Sequence, residues 1–522
     1  MIRKNISLWR VPVSVFVLMA LFAVGIFFRT SHFHDWLRFN ADQSRDATLV
    51  SDVITGQEPL PLLGPKAGGT DFRLGPAFYY FQIGAAKLFG NTPDVLAYPE
   101  LFLSLLTLPL LFIFLRKYFD VRMALLLVAL LAVSAYAVKY GRFAWNPNAL
   151  PFWTLLFLYA LFEMIRERST LRVRWPLLAG VALGMGVQLH TLTLILWPIV
   201  TVVVLAFLLW KKKNIWRAAA LLFVCALLLN TGQLVSEFQT GGANTAAFLN
   251  GVGTKEKKGD GVIMNVLKDV TCFVDGTTYI LSSYDASDSC DWKFSTITQV
   301  VMFGGGSIFF FGGVILGVRA LRRESDSDKK YFIALSFLYG GLYFALLIPL
   351  ANEISMRFFL ASLFLPFVFL GLWWQYLEEK SPRFGFRIGG LLVFALMVAN
   401  ILSVRHTFME YAAYLDTSDA GMDNVLLQEV ERFADFVVTH TDTGKTVWVH
   451  GDATFLFKAL KSMQYFTERS GISLTQKQKN ASDPEGSVFL IDNTKRTEKI
   501  LRSYPTISDY ESFGRFTIFK EQ

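Results

Sequence analysis

Eleven apolar runs, near residues 8–28, 95–115, 121–139, 148–165, 175–190, 191–210, 216–235, 298–319, 331–350, 357–376 and 386–404, dominate the 522-residue chain. A helix needs about 20 such residues to cross hydrocarbon. Within a bilayer every backbone polar group must be satisfied inside the segment, so these runs leave little choice but a helical bundle. Charged residues make up 18% of the chain, below the roughly 25% of soluble domains. The sequence therefore predicts a mainly α, polytopic membrane protein.

The loops sort by charge. "RKYFDVR" (116–122), "RERSTLRVR" (166–174), "KKKNIWR" (211–217), "RALRRESDSDKK" (319–330) and "EEKSPRFGFR" (378–387) all fall on one side of the alternation, with the N-terminal "MIRK". Basic loops stay in the cytoplasm, so the opposite side is expected to be extracytoplasmic. That side receives 29–94, 140–147, 236–297, "ANEIS" (351–355) and the tail 405–522. The net charge of +8 is thus topological, and nucleic-acid binding is not expected. The first run is longer than a signal-peptide core and lacks a small-residue cleavage site, so it reads as a retained anchor. The expected location is the cytoplasmic (plasma) membrane, multi-pass.

Two units follow: 1–404 as the membrane domain and 405–522 as a small extracytoplasmic α/β domain. In the tail, "TVWVHG", "SVFLID" and "FTIFKE" read as strands, and "VLLQEVERFADFVVTH" has helical periodicity. No internal repeat and no phosphate-binding GxxxxGK[ST] loop occurs. Cys225 sits in an apolar run. Cys272 and Cys290 share one segment and can pair if it faces an oxidising compartment. The acidic residues Asp275, Asp285, Asp288 and Asp291 do not follow a calcium-loop pattern. The run "KEKKGDG" (255–261) reads as solvated loop, with acceptor contact the other reading.

The chemistry gathers after the first span, in "RFNADQSRDATLVSDVITGQEPLPLLGPKAGGTDFRLGPAFYYF". Asn40 with Gln43 fits a capping box, so a helix is expected from Ala41. Asp42 then lies in the first turn, where the helix dipole favours a carboxylate. Asp46 follows one turn later, with Arg45 beside it. The next segment, 56–76, holds four prolines and five glycines yet carries Lys66, Asp71 and Arg73. It predicts a shaped loop, followed by a short interfacial helix over 76–90 that presents Tyr79, Tyr80 and Phe81. A solvated first turn after a span accounts for the same spacing.

"FNADQSRDATLVSDVITGQEPLPLLGP" followed by "LGPAFYYFQIGAAKLFG" resembles the start of GT-C superfamily glycosyltransferases, which include protein O-mannosyltransferases and lipid A aminoarabinose transferases. The likeness runs over 8–210 and, more loosely, through "ANEISMRFFLASLFLPF" (351–367). It implies transfer of a sugar, hexosyl or pentosyl, from a polyprenyl-phosphate-linked donor to an acceptor hydroxyl. Asp42 matches the family's acidic residue and would be the general base. The phosphate would be met by Arg45, Lys66, Arg73, Arg142, His190 and Arg357, with Asp46 and Tyr80 also in the substrate site. In "YGRFAWNPNALPFW", Asn146 and Asn148 stand where many relatives carry an acid, which argues against a second carboxylate or a metal there. Asn-Pro turn capping and sugar binding are both open to these residues. His190 and Arg357 also admit plainer readings, as a buried hydrogen-bonded histidine and a snorkelling arginine. No cofactor is implied, and a divalent metal stays open. The partners implied are the donor lipid, membrane lipids and an acceptor that is protein, lipid or cell-wall glycan. The rival reading is a secondary transporter or lipid flippase. Such proteins favour duplicated halves and mid-membrane charges, neither of which the sequence shows.

Overall fold

The structure is a computed structural model that describes residues 13–167, 172–256, 261–284, 290, 294–416, 424–477 and 486–521. The N-terminal "MIRK", part of the 166–174 cluster, most of "KEKKGDG", and Asp285, Asp288 and Asp291 lie outside these residues.

Over the described residues, all eleven apolar runs are helical. They form α1 (Val13–Thr30), α4 (Tyr98–Leu115), α5 (Val121–Val133) with α6 (Ala135–Tyr140), α7 (Leu150–Arg166), α8 (Arg174–Leu189), α9 (Thr191–Trp210), α10 (Trp216–Leu229) with α11 (Thr231–Thr240), α14 (Ile297–Arg323), α15 (Ser327–Leu347), α16 (Phe364–Lys380) and α17 (Pro382–Asp416). Between them lie α2 (Ala41–Thr55), α3 (Ala77–Phe89), α12 (Ala243–Glu256) and α13 (Val262–Ser282). Among the described residues, seven helices are long and apolar enough to cross a membrane, and nine if each of two pairs bent by 65° counts as one span. The two remaining runs, α5 and α8, have 13 and 16 residues and are shorter than a straight crossing needs.

Small residues let helices α8 and α10 approach closely. A Cβ on Gly180 of α8 would come 2.4 Å from the Leu222 carbonyl oxygen of α10, and one on Gly184 3.0 Å from Cα of Ala226. This is the small-xxx-small packing that membrane helices use in place of hydrophobic burial. Arg29, fully buried at the end of α1, ties three helices together. Its Nε donates to Ser104 Oγ at 2.9 Å and its Nη1 to the Ala132 carbonyl at 2.9 Å.

The connectors after α4, α7, α9, α14 and α16 share one end of the bundle. There Arg319 pairs with Glu379 at 2.6 Å, Arg166 with Asp328 at 3.8 Å, and Lys213 Nζ donates to the Ile165 carbonyl at 3.0 Å. These are the basic loops of the sequence. Segment 236–297, expected as a loop, instead holds α12 and α13. The second is amphipathic, and its inner face, with Asp269, Cys272, Phe273 and Gly276, is buried. Cys272 and Cys290 form a disulfide with Cα atoms 4.9 Å apart.

At the end opposite the basic loops sits an α/β unit. It comprises α18 (Leu427–Thr439), β1 (Thr446–Gly451), α19 (Ala453–Arg469), β2 (Ser473–Gln476), β3 (Val488–Asn493), α20 (Thr497–Ser503), β4 (Ile507–Phe513) and β5 (Phe516–Glu521). The sheet order is β2-β1-β3-β5-β4, parallel through the first three strands and antiparallel through the last three. Helix α17 runs on past residue 404, so the sheet-bearing part begins after Asp416. A short antiparallel bridge, Arg38 to Leu426, joins this unit to the chain entering α2. Leu427 N–H donates to the Leu37 carbonyl at 2.8 Å, and Ser462 Oγ to the Phe39 carbonyl at 2.8 Å. Phe39, 1% exposed, packs its ring against Tyr465 and Phe466 of α19.

Candidate active site

Helix α2 starts where the sequence places it. Gln43 Oε1 accepts from the Asn40 backbone N–H at 3.1 Å, one half of the expected capping box. Gly56, at φ +78°, ends the helix in the left-handed conformation that glycine adopts without steric cost. Between these caps, one arginine holds both acids. Arg45 Nη1 donates to Asp42 Oδ1 at 2.9 Å, while its Nε and Nη2 donate to Asp46 Oδ1 at 3.0 and 2.8 Å. Tyr79 of α3 donates its hydroxyl to the same Asp46 oxygen at 2.9 Å. Asp46 is buried, and burial pushes its carboxyl up to about 6 against the opposing pull of Arg45 and Tyr79. Asp42 is exposed.

Beside α2, at the same end of the bundle, opens a cavity of about 660 Å³. Among the described residues, five basic side chains line it, Arg38, Lys139, Arg142, Arg357 and Lys458, against one acid, Glu410. Aromatic rings form much of the remaining wall, among them Trp36, Tyr140, Trp145, Tyr279, Tyr411 and Tyr414. The walls come from distant parts of the chain: the entry to α2, α6 and the loop after it, the end of α13, residues 355–357, the end of α17, and α19. Arg38 stacks over Phe143 at 5.2 Å, and Arg357 over Trp145 at 5.3 Å. Burial holds the Arg38 guanidinium below its ordinary value, against the opposing pull of Tyr140, Tyr411 and Asp42. Cations fixed on aromatic faces suit an anionic group such as a phosphate.

The sequence-derived candidates divide among three settings. Arg142 and Arg357 line the cavity. Arg142, however, donates to the Phe28 and Ser31 carbonyls at 3.1 and 2.7 Å, so its guanidinium caps the end of α1. Asp42, Arg45 and Asp46 form the flanking triad, with Asp46 turned inward to protein groups and not toward a ligand. Lys66 pairs on the surface with Asp71 at 2.9 Å, and Arg73 Nε donates to the Gly64 carbonyl at 3.0 Å. Their loop approaches the cavity instead through Gly68, where a Cβ would lie 3.7 Å from Arg357 Nη2. Tyr80 donates to the Pro61 carbonyl at 2.8 Å and faces outward. His190 caps α9, its Nδ1 accepting from Leu192 N–H at 3.2 Å, with its ring edge-to-face on Phe358. Asn146 Nδ2 donates to the Leu189 carbonyl at 2.6 Å, tying its loop to the end of α8, and Asn148 Nδ2 donates to the Phe143 carbonyl at 2.8 Å within the loop itself.

Sequence reasoning missed Arg38, Lys139 and Lys458. Arg38 stands two residues before the cap that the sequence did reveal, which was a usable signal. Lys458 lies in a tail helix, and nothing local marks it. Among the described residues, no group of three or more His, Cys, Asp or Glu side chains is placed to hold a metal ion.

A bundle of long apolar helices with a small α/β unit over one end makes a GT-C-type fold. Residues 74–230 match the family described as dolichyl-phosphate-mannose-protein mannosyltransferase. The chain shares its fold with ArnT from Cupriavidus metallidurans crystallised with undecaprenyl phosphate. The TM-score is 0.55 at 11% identity, over 97% of each chain. The apo form of that protein aligns with a TM-score of 0.53 at 10% identity, again over 97% of each chain. No curated protein matches the sequence.

Proposed function

We propose that this protein transfers a sugar from a polyprenyl-phosphate-linked donor to an acceptor hydroxyl, at the extracytoplasmic boundary of the membrane. The observation that carries the reading is the basic, aromatic-walled cavity beside α2, at the bundle end opposite the basic loops. Its cations suit the donor phosphate, and the fold it shares with an undecaprenyl-phosphate-bound protein supports a polyprenyl carrier. Asp42 is the general base. It takes the acceptor hydroxyl proton while the oxygen attacks the sugar's anomeric carbon, and the bond to phosphate breaks to release the polyprenyl phosphate. Phosphate is a good leaving group, so one base suffices without a paired acid. Arg45, fixed from below by Asp46, orients the Asp42 carboxylate. Arg357 and Arg38 meet the charge that grows on the leaving phosphate.

A transporter or flippase would favour ionisable groups near mid-membrane. The charged walls of this cavity come from helix ends, external loops and the α/β unit, which favours transfer. The test is reconstitution of the purified protein with undecaprenyl-phosphate-linked sugars and candidate acceptors. Release of undecaprenyl phosphate coupled to glycosylated acceptor is expected. Movement of intact donor across vesicles without cleavage would overturn the reading.

A further inference from the structure

We propose that Asn400 is a positioning residue for this cavity, holding the end of α13 as a wall of the site. The inference rests on the reading of that cavity as the donor site. Asn400 is a fully buried amide in the apolar run "LLVFALMVANILSV" of α17. A polar side chain there is costly unless its hydrogen bonds are complete, and here they are. Nδ2 donates to the Leu281 carbonyl at 2.7 Å and, within its own helix, to the Leu396 carbonyl at 2.8 Å. Oδ1 accepts from Ala135 N–H at 2.8 Å and from Ser283 Oγ at 2.5 Å.

The partners are groups that helix ends leave unmade. The chain breaks between α5 and α6 at Ser134, which exposes the Ala135 N–H. The carbonyl of Leu281 belongs to the last turn of α13. One amide therefore caps two helix ends from a third helix. Ser134 Oγ adds a parallel tie, donating to the Ile280 carbonyl at 3.1 Å. The residue after α13, Ser283, is held at φ +62°, an uncommon conformation for a side chain with a Cβ. Such outliers persist where the surroundings over-determine them, and they cluster at functional sites. The clamp backs the cavity wall: two of the residues it bonds, Ala135 and Ser283, line the cavity, as do Tyr279, two residues before Leu281, and Ser403 and Val404 one turn beyond Asn400.

The full-length protein in nanodiscs provides the test, with undecaprenyl phosphate titrated against the fluorescence of the cavity tryptophans Trp36 and Trp145. Asn400→Ala should weaken binding about tenfold, the scale of one lost hydrogen bond's worth of geometry. Adding Ser283→Gly should recover part of the loss, because glycine adopts that positive φ without the Cβ strain that the lost bonds had offset. Should Asn400→Ala fail to fold, Ser283→Ala removes one of the four bonds and should cost about threefold. Thr407→Cys, on the cavity wall in a Cys225→Ala background, reads the wall without ligand. Its maleimide labelling should accelerate when Asn400 is replaced. Faster labelling in a protein that does not bind undecaprenyl phosphate would uphold the clamp and remove the donor reading. Unchanged affinity with a lowered melting temperature would reduce Asn400 to a packing residue and overturn the proposal. A double variant that binds no better than the single one would overturn it too.

Discussion

Asp42 and Asp46 stand one turn apart on α2 and share Arg45, yet the first side chain is 57% exposed and the second 2%. The shared arginine makes them unequal partners. Asp46, enclosed with Tyr79, fixes the guanidinium, and the guanidinium presents Asp42 to whatever enters beside the cavity. On the proposed reading, the exposed member is the one that meets the acceptor hydroxyl.

If Asp42 is the base, Asp42→Asn keeps the size and one hydrogen-bond acceptor for Arg45 but loses proton-accepting power. Transfer should fall about 10²–10⁴-fold, the usual contribution of general base catalysis. Affinity for undecaprenyl phosphate should stay within about threefold, since the donor contacts lie elsewhere. Single-turnover transfer and equilibrium binding, measured on the same preparation, separate the two effects. Transfer at the normal rate would send the search for the base elsewhere.

The buried carboxyl of Asp46 gives a pH signature of known sign. Its folded value of about 6 lies above the roughly 3.9 of an unfolded aspartate. The folded state therefore binds more protons between these limits. The stabilisation from this group is fully present below the lower value and is lost as pH rises through about 6. Activity should run the other way, because protonating Asp46 loosens its hold on Arg45. Melting temperatures between pH 4.5 and 7.5, compared with those of Asp46→Asn, check the first half. The Asn variant should lack the rise toward acid. Rate profiles over the same range check the second.

The bundle was legible in the sequence because spanning a bilayer forces long apolar runs, and each of the eleven became helix. The start of α2 was legible for the same kind of local reason, since Asn40 and Gln43 carry the cap in four residues. The strands "TVWVHG" and "FTIFKE" likewise stood out by pattern, whereas β4, with its exposed and polar face, did not. The amphipathic face of α13 was hidden by its mixture of Asn265, Lys268, Asp269 and Asp275 with apolar residues, which reads as polar loop. The cavity was the least legible part. Arg38, Lys139, Arg357 and Lys458 meet only after four distant segments pack, and no short motif records a meeting of that kind. Lys66 and Arg73 show a different side of the same difficulty. They are charged residues in a shaped loop, but each found a partner within that loop.

The disulfide between Cys272 and Cys290 closes a separation of 18 residues. Closing a loop of that size is worth about 3 kcal/mol in the chain-entropy account. Cys272→Ala should lower the melting temperature measurably, and reducing agent should do the same to the parent but not to the variant. Gel-shift labelling of free thiols before and after reduction should show one reactive cysteine becoming three. Two additional thiols in the untreated protein would show that the pair is open.

A buried ion pair links the α/β unit to the cavity. Arg515, 1% exposed, donates from Nε to Glu429 Oε1 at 2.8 Å and from Nη2 to Oε2 at 2.9 Å, and its guanidinium lies 4.1 Å from the ring centroid of Tyr414. The same Nη2 donates to the Asn424 carbonyl at 2.7 Å. Both Tyr414 and Asn424 line the cavity. Removing one member of such a pair strands the other charge, which typically costs about 3–5 kcal/mol. Arg515→Met should therefore destabilise the α/β unit strongly, while the paired change Arg515→Met with Glu429→Leu should restore much of the loss. Limited proteolysis of residues 424–521, followed by intact mass, reads that stability directly. If the pair also shapes the cavity through Tyr414 and Asn424, the double variant should be stable yet bind undecaprenyl phosphate more weakly than the parent. A double variant with full stability and unchanged affinity would leave Arg515 as a fastening of the α/β unit alone, with the cavity wall held by α17 without its help.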